Sequence, residues 1–541
     1  MPAAIDLDLH APLAGIDVAG PVCRQPARDL GGGRYARTTA RAVNMRGFDG
    51  RTNKLRGGAR SGLTKLIAAR VAGTTWVVQE LAAVVGTGFT PPGGQTVQPS
   101  QSGRIVTLVA VSQGDVYTTI PGGTAWVAAI NSTGETPPLN ITGLMDSSAC
   151  NQLLFFADGI NNVYYTPADN TLRTWVATAG LLPADADNNK PRLICTWRGR
   201  IVLAGLIKDP QNWFMSAVSD PFNFDYAPES PSPADAVAGS NAPQGLIGDV
   251  VTALIPYSDD ILVMGGDSSI HEFRGDPMAG GQIALVTDAV GVAWGRAWCQ
   301  GPLGEIYFLS NRTGAYRYMP GQKPERITGA VENLLQTINT GTHGVRLLWS
   351  DRFQGVHLFV TPLAAPAATT HYYFEPKTGA WWQDRFGDPD MDPLCCCVFD
   401  GNEPDDRLAL VGSWDGYVRI VNPDATDDDG EAIESEVWIG PLLTNYYDDV
   451  FVQELQGVLA AGSGTVGWAV HIGRTAEEAL ASTAVKTGTW AELRNLTRSV
   501  NRAAHALYIK LTSSSPWALE TIRVKLQPRA TTSVVRRRGK T

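Results

Sequence analysis

Short apolar runs, each followed by a tight polar turn and then an aromatic or branched residue, recur along most of this chain. The turns read Gly114-Asp115-Val116-Tyr117, Asp158-Gly159-Ile160 through Tyr165, Gly266-Asp267 through Phe273, Asn311-Arg312-Thr313-Gly314-Ala315-Tyr316, Lys377-Thr378-Gly379-Ala380-Trp381 and Trp414-Asp415-Gly416-Tyr417. Each predicts a β-hairpin, because Gly, Asn and Asp supply the left-handed turn residues that flanking strands cannot. Their spacings are 45, 47, 65 and 37 residues, with a gap of 108 between Gly159 and Asp267 that leaves room for one more unit. Four-stranded propeller blades take roughly 40–50 residues each, so the pattern predicts an all-β chain built on a β-propeller, with six blades favoured and seven allowed.

Strand-like runs precede these turns, among them Ile105–Ala110, Leu153–Phe156, Ile201–Ala204, Ile261–Met264, Ile306–Leu309 and Val356–Val360. One short helix is predicted at Glu332–Gln336, and another at Thr475–Ala479 with Thr475 as its N-cap. Residues 1–40 are polar and Gly-rich and read as an N-terminal arm. Residues 41–425 read as the propeller. The Pro-, Ser- and Ala-rich stretch 228–242 reads as an inserted loop of the kind that faces partners. The acidic run Asp424 to Glu431 reads as a solvated linker. After it, residues 432–530 alternate in the manner of a C-terminal β-sandwich, and 531–541 form a basic tail.

Composition narrows the picture. With 541 residues, 44% hydrophobic and 18% charged, the chain can bury large cores and is too long for one ordinary domain. The 57 Gly and 34 Pro fall mostly at the ends of apolar runs and act as turn formers. A net charge of −9 argues against a phosphate-gripping surface, and Arg536-Arg537-Arg538 with Lys540 is the only dense basic cluster. Seven cysteines, three of them consecutive at Cys395–Cys397, form no CxxC pair and read as small buried hydrophobes in a reducing compartment. In a strand Cys395 and Cys397 would share one face and Cys396 the other. The opening Met1–Asp6 shows no secretory leader, and no apolar run is long enough to predict a membrane span.

Searches for chemistry yield near-misses. Placed on a calcium-binding loop with Gly430 at the sixth position, Asp427, Asp429 and Glu436 fall on ligand positions, but the first position is Ala425. Gly539-Lys540-Thr541 imitates a phosphate loop, yet Val534 stands where a Gly is needed. In Ser310–Gly314, which half-resembles a sialidase Asp-box, Arg312 takes the place of the Asp. His271, His357 and His371 lie on strand-like runs and read as structural. No catalytic, cofactor-binding or metal-binding residue is assigned, and no cofactor is expected.

Several segments, in order, resemble the tail nozzle (tail tubular or hub) proteins of short-tailed bacteriophages. They are Ala42-Val43-Asn44-Met45 with Arg60-Ser61-Gly62-Leu63-Thr64, then Asp209–Ser216 with Asp220-Pro221-Phe222-Asn223-Phe224. Leu254–Gly265 with Ile270–Pro277 follows, and then Ile306–Ser310 with Gly314–Tyr316. The resemblance implies a non-enzymatic structural subunit of the virion tail, assembled in the host cytoplasm as a homo-hexameric ring. Such a ring sits below the portal and the adaptor and offers docking surface to tail fibres or spikes. It retains double-stranded DNA and conducts it without reading its sequence. Two other readings stay open: a carbohydrate-binding or polysaccharide-cleaving propeller, and an intracellular propeller scaffold.

Overall fold

The computed structural model describes all residues except 1–4, 31–34, 51, 88–103, 121, 133–137, 402–405, 444–448, 497 and 530–541, so the basic tail lies outside the described residues. The chain forms two compact units. One is Leu63–His371 with Asp388–Val421; the other is Met1–Gly62 with Tyr372–Gly387 and Asn422–Thr541.

The first unit is a β-propeller. Its innermost strands are Val78–Thr87, Asp146–Cys150, Leu193–Trp197, Val251–Ser258, Trp298–Gln300, His343–Ser350 and Pro393–Asp400, one for each of seven blades among the described residues. In most blades the chain then steps outward through antiparallel neighbours, as in Val251–Ser258, Ile261–Gly266, Ile270–Arg274 and Gln282–Thr287. The turns between strands are local chemistry. Gln113 and Gly114 have φ of 58° and 80°, and Asn151 and Gln152 have 50° and 65°. Those are the paired positive values of the two-residue hairpin turn whose twist matches the strands.

Ring closure comes from sequence-distant strands. Leu63–Lys65 pairs antiparallel with Val418–Val421 and so forms the outer strand of the seventh blade, although it precedes the first blade in the chain. Apolar side chains then fill each wedge between neighbours. Val84, Val111, Leu154 and Phe156 pack between the first and second blades, and Trp197, Trp213, Val251 and Phe273 between the third and fourth. Val78, Leu108, Cys395 and Leu410 join the seventh blade back to the first.

The count of seven is the larger of the two that the hairpin spacing allows. The blade at Leu193–Ala238 fills the 108-residue gap. The turn at Lys377–Gly379 joins His371–Glu375 to Ala380–Asp384, most of which belongs to the other unit, so it is not equivalent to the rest. This accounts for the unequal spacings of 65 and 37.

The second unit is two-layered. Ile5–Leu9, Leu519–Arg529, Asp449–Leu459, Leu493–Arg494 and Arg498–Ala504 make one sheet. The other contains Ala42–Val43, Ser435–Leu442, Ala506–Ser513, Val466–Gly473 and Lys486–Trp490. The layers meet where Gly457 lies against the Trp490 indole, where an added Cβ would stand 2.5 Å from the ring. Thr475 caps Ala476–Ala481 by accepting the Glu478 N–H, as its sequence predicts. The short helix Glu332–Leu335 also forms, in the propeller.

Three sequence boundaries need correction. Residues 1–40 are not an arm throughout: Ile5–Leu9 pairs along its length with Ile522–Leu526, because its alternating Ile-Asp-Leu-Asp-Leu pattern suits a strand. The propeller does not run from 41 to 425, since its first strand is Leu63–Lys65 and residues 42–62 pack with the two-layered unit. Nor is 228–242 a free loop. Val237–Ala238 is the outer strand of the third blade, and the fully buried Arg200 guanidinium holds the preceding segment. It donates to the carbonyls of Ser216 (2.8 Å), Pro233 (2.7 Å) and Asp235.

Replacing Arg200 with Leu strands three carbonyls. The expected loss is about 2–4 kcal/mol, read from the denaturant midpoint, with faster proteolytic cutting within 228–235.

Candidate functional site

Two buried charge assemblies dominate the described residues, one in each unit. The first gathers Ala42–Met45 and Arg60–Thr64. Asn44 takes a left-handed φ of 55°, and from there its side-chain oxygen accepts from Arg60 Nε (3.0 Å) and the Arg385 N–H (2.9 Å). Its amide donates to the Glu434 carbonyl at 2.8 Å. Arg60 grips Asp428 with both Nη atoms, at 2.8 and 2.6 Å. Arg46 grips Asp384 in the same bidentate manner, at 2.7 and 2.6 Å, and lies over the Tyr373 ring. Burial alone would lower the Arg60 pKa, but Asp428 and Asp384 outweigh it and raise it. Gly62 passes so close to the Asp427 carbonyl that a Cβ would lie 1.7 Å from its oxygen. Only glycine can occupy that position without moving the backbone.

This overturns the reading of 424–431 as a solvated linker. Asp428 is buried and ion-paired, and Asp427 uses its carboxylate to accept the Gly430 N–H. A run of acids signals solvent only when no buried arginine needs a partner, and the partner is 368 residues away.

The second assembly lies among the innermost propeller strands. Arg296 donates from Nε to Asp146 (2.6 Å) and from Nη2 to the Ser147 carbonyl (2.5 Å), with Nη1 at 3.6 Å from Glu80. Arg346 faces the other Glu80 oxygen at 3.7 Å and donates to the carbonyls of Met145 and Leu394. Ser147 donates its hydroxyl to Glu80. Burial pushes the Glu80 carboxyl above its ordinary range, and Arg296 and Arg346 only partly counter it. The same acids hold the Arg296 pKa above its usual value although partial desolvation opposes this, its side chain being 30% exposed. Below this hub opens a cavity of about 530 Å³, whose walls include Ser148, Trp298, Gln300, Trp349 and Arg407. Asp146 is its one carboxylate, already held by Arg296.

Cys299, Cys395 and Cys396 serve as buried packing near this hub. Cys395 and Cys396 point to opposite sides of their strand, toward the Val78 and Leu347 carbonyls. Burial pushes the Cys396 thiol up to about 12 and the Cys395 and Cys299 thiols well above the usual thiol range, which disfavours the reactive thiolate. All seven are free.

The remaining sequence candidates do not converge. His371 Nδ1 accepts the Val360 N–H, which leaves Nε2 to donate to Asp392 at 3.0 Å. His357 stacks near Phe359, and desolvation lowers the pKa of His271 beside Asp249. Arg312 pairs with Asp267 at the surface. Val534 and the Gly539–Thr541 end lie outside the described residues. Among the described residues no group of three His, Cys, Asp or Glu side chains could hold a metal, and no helix is long and apolar enough to cross a membrane. The axial hub was missed in the sequence. Its signal is a charge inside an otherwise apolar inner strand: Glu80 before Leu81-Ala82-Ala83-Val84, and Arg346 between Val345 and Leu347.

Strand order and closure define the class: a seven-bladed β-propeller carrying a two-layered β unit. No family model matches the chain, and no curated protein matches it. Among solved structures it is similar to the extracellular domain of a putative hybrid two-component system from B. thetaiotaomicron. That likeness has 8% identity and a TM-score of 0.41, over 74% of this chain and 44% of that one. A second such B. thetaiotaomicron domain matches at 8% identity and a TM-score of 0.39, over 77% and 49%. YCF48 from Cyanidioschyzon merolae matches at 11% and a TM-score of 0.34, over 65% and 97%. The chain thus spans about half the length of the first two, and the fold assignment rests on its own strands.

Asp428→Ala should cost about 3–5 kcal/mol in chemical denaturation, because it leaves the Arg60 charge buried and unpaired, whereas the double change Arg60→Met with Asp428→Leu should cost less than half of that. The axial hub predicts a pH dependence. The folded-state pKa of Glu80 is raised, so folded protein holds its proton longer than unfolded chain and loses stability as pH rises above about 4.5, by at most ~1.4 kcal/mol per pH unit. Glu80→Gln removes that slope. Its stability relative to the parent should therefore climb from pH 4.5 upward and then level off, measured by urea midpoints across the series.

Proposed function

We propose that this protein is a structural subunit of a phage tail nozzle, a ring that extends the DNA channel below portal and adaptor and carries fibres or spikes on its outside. The observation that carries the reading is the ordered series of nozzle-like segments, from Ala42–Met45 and Arg60–Thr64 through Asp209–Phe224 and Leu254–Pro277 to Ile306–Tyr316.

Charge supports it. The propeller unit holds 32 Asp and Glu against 19 Lys and Arg, a net of −13, while the other unit holds 21 against 25, a net of +4. A wall that neutralised phosphates would hold DNA through many salt-sensitive contacts, so an acidic unit along the path favours sliding. The carbohydrate-cleaving alternative calls for two carboxylates roughly 5–10 Å apart across a cleft. Among the described residues lining the axial cavity, Asp146 is the one carboxylate, and it is paired with Arg296.

Purified protein, alone and mixed with its tail adaptor, should form six-fold rings in negative-stain images, with a mass near six subunits by light scattering. A subunit that stays monomeric with the adaptor and releases sugars from host polysaccharide would overturn the reading.

A further inference from the structure

Every residue that lines the cavity below the hub belongs to the propeller, and all seven inner strands contribute to its wall. Along those strands the hub comes first and the wall follows. Asp146 is buried, Ser148 half-buried and Ala149 exposed, and Arg296 precedes the exposed Gln300. Asp146 and Arg296 therefore form the floor of a pocket that opens to solvent where these strands end. Its volume of about 530 Å³ falls within the roughly 300–1,000 Å³ of small-molecule sites.

The lining holds two guanidiniums, Arg296 and Arg407, against one carboxylate, inside a unit of net charge −13. That carboxylate is spent: Asp146 Oδ1 accepts from Arg296 Nε and the Ser147 N–H, and Oδ2 accepts the Ile194 N–H. The donors are not. Arg296 Nη1 makes no hydrogen bond among the described residues and stands 3.6 Å from Glu80, on a side chain that is 30% exposed. Arg407 donates from Nε to Asp351, with Nη1 3.8 Å from Asp400, and is 48% exposed. Unspent guanidinium donors beside a filled acceptor select a ligand that brings its own acceptors, and a carboxylate matches the guanidinium fork. Leu254, Leu348 and the indoles of Trp298 and Trp349 make much of the remaining wall, which suits a flat apolar body.

We propose that this axial pocket binds a small aromatic carboxylate, with the carboxylate on the unspent N–H groups of Arg296 and the ring against the apolar wall. The pocket is independent of the nozzle reading, and either can fail alone.

Calorimetric titration of the full chain with naphthoate tests it. Saturable one-to-one binding is expected, with a Kd below about 1 mM. Naphthamide, of the same shape but without the charge, should bind at least about ten-fold more weakly. Ala149→Trp, which plugs the mouth and leaves the hub intact, should abolish naphthoate binding while the urea midpoint stays at that of the parent. Failure to saturate below that limit would overturn the proposal. So would equal affinity for naphthamide, unchanged binding in Ala149→Trp, or displacement of naphthoate by an equal concentration of inorganic phosphate, which would leave the apolar wall no part.

Discussion

The propeller turns on four charges at its axis. Glu80, Asp146, Arg296 and Arg346 come from the first, second, fifth and sixth blades, and their hydrogen bonds reach Ser147 and Met145 in the second blade and Leu394 in the seventh. Asp146 also receives the Ile194 N–H from the third, and the Gly295 N–H beside Arg296 bonds to Thr252 in the fourth. Burying such a set is costly, because each ion leaves water and recovers its loss only through well-aligned partners. Apolar residues of the same volume could fill the space more cheaply. What the ionic hub adds is register: each guanidinium has one direction in which all its partners are met. A ring with a blade missing or shifted would leave two arginines and two carboxylates without their partners.

The two-layered unit uses the same device on a smaller scale. Its three chain segments are brought together by bidentate arginine pairs, Arg60 with Asp428 and Arg46 with Asp384, each linking residues more than 300 positions apart. Apolar packing holds any group of strands that present the right face. A planar guanidinium donates two parallel hydrogen bonds to a carboxylate only when the two are coplanar, so these pairs select which segments meet. The left-handed Asn44 and the Cβ-free Gly62 set the backbone at the points where the strands must turn toward the pairs.

The parts of this fold that were legible in the sequence are the local ones. Hairpins announce themselves through Gly114, Gly159, Gly314 and Gly416, because a positive φ is a property of two neighbouring residues. The capped helix after Thr475 is legible for the same reason. Closure was not. Leu63–Lys65 is three residues with no strand partner nearby in sequence, and only the ring reveals that it completes the last blade. The hub and the clamps were equally hidden, since a lone Glu80 or Arg346 in an apolar run carries no mark of a partner hundreds of residues away. Asp428 was misread because its acidic neighbours, which do face solvent, set the character of the run. Ile5–Leu9 is the converse case: its alternation was in plain view and was overridden by the polar, Gly-rich residues after it.

The division of charge follows from where each unit spends its arginines. In the two-layered unit Arg46 and Arg60 are consumed internally against Asp384 and Asp428, which cancels them, so its net charge of +4 is set by what lies at the surface and in the C-terminal segment. In the propeller the axial hub also cancels itself, two against two. Its net charge of −13 is therefore carried almost wholly by loops such as those of Asp185 and Asp187, Asp259 and Asp260, and Asp388 and Asp390. Solvent-facing carboxylates set the long-range field, whereas the buried ones act only on their immediate partners. The field of this molecule is thus separable from its stability. Surface acids can be changed to tune what the propeller repels without touching the interactions that close it.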